Sequence, residues 1–341
     1  MTENPPRMAS HPHRATIDPV PADVDRPLWS VMIPAYHCAG YLAKTLESVL
    51  VQDPGPAVMQ IEVVDDFSTR DDPAEVVRAV GGGRVAFFRQ PQNRGHVRNF
   101  ETCLKRSRGR LIHLLHGDDY VQPGFYARMG AAFAARPETG LATCRHLYAL
   151  ASGHWFGMSR LRQEQSGPWE NAFEALAVEG DLQTPSVVVR RECYEALGGF
   201  DERLLCTEDY EMWVRIASHF PVWYETECLA VYRFHAGSNS ARDAVTAENI
   251  RDARRALEII AGEVTRPLRP DWQRVALRRV ARGAVDRAEA FLDEQQVAPA
   301  LVVLREALRC DAGPATIGRI IRVMARAMGR VVKRLVVPPT S

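Results

Sequence analysis

Between residues 29 and 116 short β-rich apolar runs alternate with segments whose apolar residues recur at the 3.6-residue period of a helix. Few architectures accept that alternation. SVMIPA (30–35), IEVVDD (61–66), VAFFRQ (85–90) and LIHLLH (111–116) are short β-rich runs. YLAKTLESVLVQ (41–52), a stretch at about 73–80 and NFETCLKRSRG (99–109) separate them at helical spacing. Strands and helices in this order predict an α/β domain with a parallel sheet covered on both faces.

In such sheets ligands collect beyond the carboxyl ends of the strands. The residues expected there are Pro34-Ala35-Tyr36, Asp65-Asp66-Phe67-Ser68 and Gly117-Asp118-Asp119, so two acidic pairs and an aromatic ring converge on one rim. The Gly81-Gly82-Gly83 run follows a helix and precedes a strand, the reverse of a phosphate-binding loop. It predicts a helix stop and a turn.

Adjacent carboxylates at the end of a buried strand repel each other and lose hydration, so Asp118 and Asp119 require compensation. A hard divalent cation, Mg²⁺ or Mn²⁺, supplies it. The alternative is an N-cap for the helix in YVQPGFYARM, which explains one aspartate and not two. In VVDDFSTRDD, Asp66 is placed to accept hydrogen bonds from a base or ribose, a turn and cap being the plainer reading. Glu208 and Asp209 open a helix in TEDYEMWVRI. A helix N-terminus stabilises a carboxylate, so Asp209 is expected to stay charged at neutral pH, as a general base or simply as an acidic cap. Trp213 reads as core. VYRFHAGSNS (231–240) is a strand ending in His235, either a structural histidine or one that completes a metal shell.

Residues 1–27 are proline-rich and lack the apolar stretch of a secretory signal, which predicts a disordered lead-in. Formal net charge is +1, so the overall field favours no nucleic acid. Seven cysteines stand singly without a CxxC, as expected of reduced cytoplasmic thiols. From about 244 to 336 the chain turns Ala/Arg-rich and helix-periodic, predicting an all-helical C-terminal region. Its last segment, TIGRIIRVMARAMGRVVKRLVV (316–337), is a basic amphipathic helix. Two readings stand: peripheral contact with the inner face of a membrane, or a helix packed on the domain with solvated arginines.

Taken in order, SVMIPAYHCAGYLAKTLESVLVQ, EVVDDFSTRDD, NRGHVRNF, the HGDD stretch, TPSVVVRRECYEALGGFDE, TEDYEMWVRI and YRFHAGSNS resemble an inverting glycosyltransferase of family 2. The resemblance implies a GT-A fold, a Rossmann-like nucleotide-diphospho-sugar transferase sheet, over 28–243. It implies that Pro34 and Tyr36 border the nucleotide base, that Asp66 bonds the base, and that Asn93 assists on the donor side. It further implies that Asp118 contacts the ribose, that Asp118 and Asp119 hold the cation together with His235, and that Asp209 is the catalytic base. The family commonly carries an aspartate where His116 stands, and its counterpart of NRGHVRNF is longer.

The function implied is transfer of a sugar from a nucleotide-sugar donor, UDP-linked, to a hydroxyl of a saccharide or lipid-linked acceptor, in cell-envelope or other glycan synthesis. Two other readings use the same residues. One is a nucleotidyltransferase, which needs a basic glycine-rich loop that PAYHCAGY does not offer. The other is a catalytically inactive carbohydrate- or nucleotide-binding protein on a transferase fold. The stretch ASGHWFGMSRLRQEQSGPWENAF carries no pattern tied to a ligand.

Overall fold

The computed structural model describes residues 11–336. The first ten residues of the expected lead-in and Val337 at the end of the basic tail lie outside the described residues. The chain divides into two units. The first comprises residues through Phe173, Asp181–Arg203 and Glu208–His235; the second comprises Glu174–Gly180, Leu204–Thr207 and the residues from Ala236 onward.

The opening half of the first unit follows the predicted alternation: β1 (Trp29–Ala35), α1 (Ala39–Leu50), β2 (Met59–Asp65), α2 (Pro73–Gly81), β3 (Ala86–Arg89), α3 (His96–Arg106) and β4 (Leu111–Leu114). Then come β5 (Tyr120–Val121), α4 (Phe125–Ala135), β6 (Leu141–Leu150), β7 (Trp155–Met158), β8 (Gly167–Pro168) and α5 (Ala172–Glu179). A 3₁₀ turn at Thr184–Ser186 leads into β9 (Val187–Arg190), α6 (Arg191–Leu197), α7 (Glu208–His219) and β10 (Val222–Phe234). All seven residues of β1 are buried, as for a strand covered on both faces. In α1, Leu42, Leu46 and Val49 recur at helical spacing and are buried. The triple glycine ends α2: Asp72 caps its start by accepting the Ala74 N–H, and Gly82 adopts φ 53° at its close.

The strands form a single mixed sheet in the order β3-β2-β1-β4-β9-β6-β10-β5, with β7 on β6 and β8 on β10. β3, β2, β1 and β4 are parallel, as predicted. β9 is not: it runs antiparallel to both β4 and β6. The reason is local. β8 leaves the chain at the amino end of β10, with Pro168 opposite Trp223, and after α5 the 3₁₀ turn starts β9 at the carboxyl rim, where Val188 pairs with His113. β6 and β10 again run parallel to each other, so their carboxyl ends share the rim of β1, β2 and β4.

Residues 11–27 depart from the expected disordered lead-in. Ile17 is 1% exposed. Arg14 is paired with both Asp201 and Glu211 at 3.1 Å, and the Gly199 N–H donates to the Ala15 carbonyl. One buried apolar side chain and one arginine between two buried carboxylates hold a segment whose composition alone gives no core.

The second unit continues through α8 (Asn239–Thr246), α9 (Glu248–Glu263), α10 (Trp272–Asp293), α11 (Val297–Cys310) and α12 (Pro314–Val336). Its core is built from Val285, Ala288, Val303, Leu304 and Val323, with Ile320 and Met324 packed against it. Three arginines of α12 reach α10, where Arg319, Arg326 and Arg330 pair with Asp286, Glu289 and Asp293. No helix among the described residues is long and apolar enough to cross a membrane.

Candidate active site

The HGDD turn follows β4 and is clamped from α1. The buried Thr45 hydroxyl lies 2.6 Å from the Asp119 carbonyl and 3.0 Å from that of Gly117. Glycine is required at 117, because a Cβ there would lie 2.6 Å from Cys38 Sγ. The turn brings ligand atoms of His116, Asp118 and Asp119 within 4.8 Å of one another. His235, following β10, places Nε2 2.9 Å from Asp118 Oδ2. Arg233, two residues earlier, donates its backbone N–H to Asp119 Oδ1. All three residues expected to hold a cation therefore lie together, with His116 added.

This group fits a divalent cation on its own evidence. Asp119 Oδ2 and His116 Nε2 are buried with no hydrogen-bond partner, and a buried carboxylate oxygen left unpaired is costly. Burial and the neighbouring Asp118 charge push the Asp119 carboxyl well above the usual range. Burial acts against ionisation of Asp118 too, but there the His235 hydrogen bond and the adjacent histidines prevail and lower it. Burial lowers His116, leaving the neutral imidazole that a metal needs. Carboxylate oxygens with imidazole nitrogen suit Mg²⁺ or Mn²⁺.

Asp209 stands at the same rim. Its Oδ2 accepts from the Thr184 hydroxyl at 3.0 Å and its Oδ1 accepts from the Tyr210 N–H. Thr184 opens the 3₁₀ turn that feeds β9, and the Pro185 carbonyl lies 3.0 Å from His113 Nε2 on β4. Asp209 is thus tied to the strand that carries the HGDD turn. A second link is aromatic: Glu208 pairs with His96 at 3.3 Å, His96 meets Phe100 edge-on, and Phe100 stacks on His116 at 5.1 Å. Asp209 is not held as a plain anion. Burial and the Glu208 charge push its carboxyl up to about 7, overriding the helix N-terminus expected to keep it charged.

On the donor side the acidic pair after β2 divides its duties. Asp65 is fully buried, accepts from the Ser68 N–H and hydroxyl, and pairs with Arg89. Asp66 accepts from the Arg94 and Gly95 N–H groups at 2.8 and 2.9 Å. Asn93 donates to the Asp66 carbonyl, so Asp66 and Asn93 lie together. Pro34 is buried in register with Val64, whereas Tyr36 is 45% exposed and its ring lies 4.0 Å from that of His37. Phe67 holds φ 64° with an exposed ring, a strained backbone of the kind found at binding sites. Sequence reasoning gave Phe67, His96 and Thr184 no role of their own, although each lies inside a quoted segment, EVVDDFSTRDD, NRGHVRNF and TPSVVVRRECYEALGGFDE; Thr184 meets Asp209 across 25 residues.

Comparison with known proteins bears on the family and the fold. Residues 30–197 match the glycosyl transferase family 2. An uncharacterized protein of Mycobacterium tuberculosis is 29% identical over 74% of this chain and 80% of its own length. An uncharacterized glycosyltransferase of Rickettsia felis is 22% identical over 65% of this chain, which spans 36% of that longer protein. Among solved structures, S. aureus TarS 1–349 in complex with UDP-GlcNAc superposes with a TM-score of 0.62 at 16% identity, over 89% of this chain and 91% of that one. The mannosyltransferase PcManGT from Pyrobaculum calidifontis, in complex with GDP-Man and Mn²⁺, gives 0.57 at 19% identity, over 95% and 90%. The chain thus shares the GT-A fold of these structures, and over residues 30–197 it matches the glycosyl transferase family 2.

Proposed function

We propose that the protein is a metal-dependent, inverting glycosyltransferase that takes a sugar from a UDP-sugar and delivers it to a hydroxyl of a saccharide or lipid-linked acceptor. The observation that carries this reading is the attachment of Asp209, through Thr184, to the carboxyl end of β4, where Asp118 and Asp119 gather with His116 and His235. Asp118 and Asp119 would hold a divalent cation, with His235 orienting Asp118 and His116 completing the donor set, and the bound cation would supply Lewis-acid neutralisation of the departing diphosphate. Tyr36 borders the base beside Pro34, and Asp66, anchored by two backbone amides, retains free lone pairs for the base edge. Asn93 steadies the loop that carries Asp66.

Asp209 removes the acceptor proton as the hydroxyl attacks the anomeric carbon from the face opposite the diphosphate. A base near 7 is matched to work at neutral pH. One displacement inverts the anomeric configuration and needs no enzyme nucleophile. Closeness in fold to a UDP-GlcNAc complex and to a GDP-Man, Mn²⁺ complex supports a nucleotide-sugar donor and a cation. The reaction would take place on the cytoplasmic side, where nucleotide sugars are made. Peripheral membrane contact through α12 would have to rely on apolar side chains such as Ile321, since its paired arginines face α10.

The test is calorimetric titration of UDP with and without Mn²⁺, followed by hydrolysis of a panel of UDP-sugars. Wild type is expected to bind UDP only with the metal and to turn over at least one donor, and Asp209→Asn to bind without turnover. Metal-independent binding, or equal turnover by mutant and wild type, would overturn the reading.

A further inference from the structure

Glu208, the residue before Asp209, is a buried carboxylate that the mechanism above leaves without a task. It is 5% exposed, and its Oε2 is buried with no hydrogen-bond partner among the described residues. Its Oε1 lies 3.3 Å from His96 Nε2. A carboxylate taken out of water keeps its charge only where a donor or a cation compensates it, and here that group is the imidazole.

His96 reaches this place on a loop that is held. The Arg94 and Gly95 N–H groups just before it are fixed on Asp66, and its ring meets Phe100 edge-on at 5.6 Å. Its side chain keeps 28% of its surface open, so it exchanges protons with solvent. As an imidazolium it stands against the Glu208 charge. The two act on Asp209 in opposite senses, Glu208 raising its hold on the proton and His96 lowering it. The hydrogen bonds on Asp209 come from neutral donors, the Thr184 hydroxyl and the Tyr210 N–H. Asp66 and His116 also feel the His96 charge, and Glu208 acts on His116.

We infer that His96 is a positioning residue for the proton-transfer step: paired with Glu208, it keeps the charge of that neighbour from closing Asp209 to ionisation. The inference rests on the transferase reading above, in which Asp209 takes the proton of the acceptor hydroxyl. Two adjacent carboxyls buried at one helix start, with no cation beside them, hold a proton in common and release it only above neutral pH. With an imidazolium on Glu208, that proton is released in the range where a general base is useful. Neither His96 nor Glu208 touches the reacting atoms, and the acceptor proton goes to Asp209 alone.

The experiment follows the Asp209 carboxyl itself, by carbon NMR of the full chain labelled at aspartate Cγ, its signal assigned by loss in Asp209→Asn. His96→Gln removes the cation and is expected to raise the titration midpoint by about 1 pH unit, whereas Glu208→Gln is expected to lower it by about as much. His96→Lys restores a cation and is expected to return the midpoint towards that of wild type. A tie that merely joined α3 to α7 would cost stability in these variants and leave the midpoint where it was. An unmoved midpoint in His96→Gln or in Glu208→Gln, or no recovery in His96→Lys, overturns the inference. The pH profile of UDP-sugar turnover separates the two failures. Midpoints that shift as expected in a protein that turns over no donor defeat the transferase reading. Turnover whose acidic limb ignores both glutamine variants defeats the role of His96 alone.

Discussion

The Thr184 hydroxyl donates to Asp209 Oδ2 at 3.0 Å, and this bond joins the loop before β9 to the first turn of α7. It favours the charged form of a carboxyl that burial and Glu208 push up to about 7. Activity should therefore rise with pH through about 7 as Asp209 loses its proton. Removing a hydrogen bond to a charged group costs about 1.5–3 kcal/mol, so Thr184→Val should move that limb upward by about 1–2 pH units. An unmoved profile of kcat/KM would show that Asp209 is not the titrating base.

The same shift has a consequence for stability. The folded state holds the Asp209 proton more tightly than the unfolded chain, so its stabilising share is complete below the ordinary value of 3.8 and is lost as pH rises towards about 7. Asp209→Asn should accordingly raise Tm at pH 8 and leave it nearly unchanged at pH 4. Thermal melts at the two pH values check the sign, and a variant that loses stability at pH 8 would refute it.

The orphaned Asp119 Oδ2 predicts a metal effect independent of catalysis. At a hundredfold excess over its Kd, Mn²⁺ should stabilise wild type by about 2.7 kcal/mol, seen as a Tm rise that EDTA reverses. Asp119→Asn should abolish the rise. Without metal it should be no less stable than wild type, because it removes a buried carboxyl whose ionisation burial and the neighbouring Asp118 charge oppose. Equal Mn²⁺ responses in both proteins would exclude the site.

Gly117→Ala would put a methyl group 2.6 Å from Cys38 Sγ. Overpacking of this kind costs about 1–3 kcal/mol. Cys38→Ala removes the clashing sulfur, so the double variant should recover part of the loss, and urea denaturation of the four proteins measures the coupling. Strictly additive losses would place the strain elsewhere.

Arg14→Met tests whether residues 11–27 belong to the folded unit. It withdraws one partner from Asp201 and Glu211, but Arg203 and Arg215 remain on them. The expected cost is about 1–3 kcal/mol, below the full penalty of an isolated buried charge. A change under about 0.5 kcal/mol, the range of ordinary surface substitutions, would return the segment to the status of a loose lead-in.

What the sequence made legible follows from how far each signal reaches along the chain. The four parallel strands, the helix stop at Gly82 and the acidic strand ends are written in short windows, so periodicity and turn chemistry found them. His235 was visible as a histidine at a strand end, and Asp209 as the opening of a helix. The reversed direction of β9 was not visible, because VVVR reads alike in either sense and only the turn before it decides. Thr184, the Arg14 pairs and the stacking of His116 on Phe100 depend on contacts between distant segments, and no local pattern encodes them. The protonation of Asp209 was misjudged for a similar reason: the helix end is local, whereas the burial that outweighs it is a property of the whole rim.

The reversed β9 also bears on how such a protein could change its substrates. Because β9 hydrogen-bonds directly to β4, the Thr184 turn that holds Asp209 and the acidic turn are gauged by a neighbouring-strand spacing of about 4.8 Å, which backbone pairing makes stiff. The aromatic hairpin of β7 lies outside that gauge. Its loop can be lengthened, shortened or recoloured without disturbing that spacing, so variation at the periphery leaves the acidic rim in place.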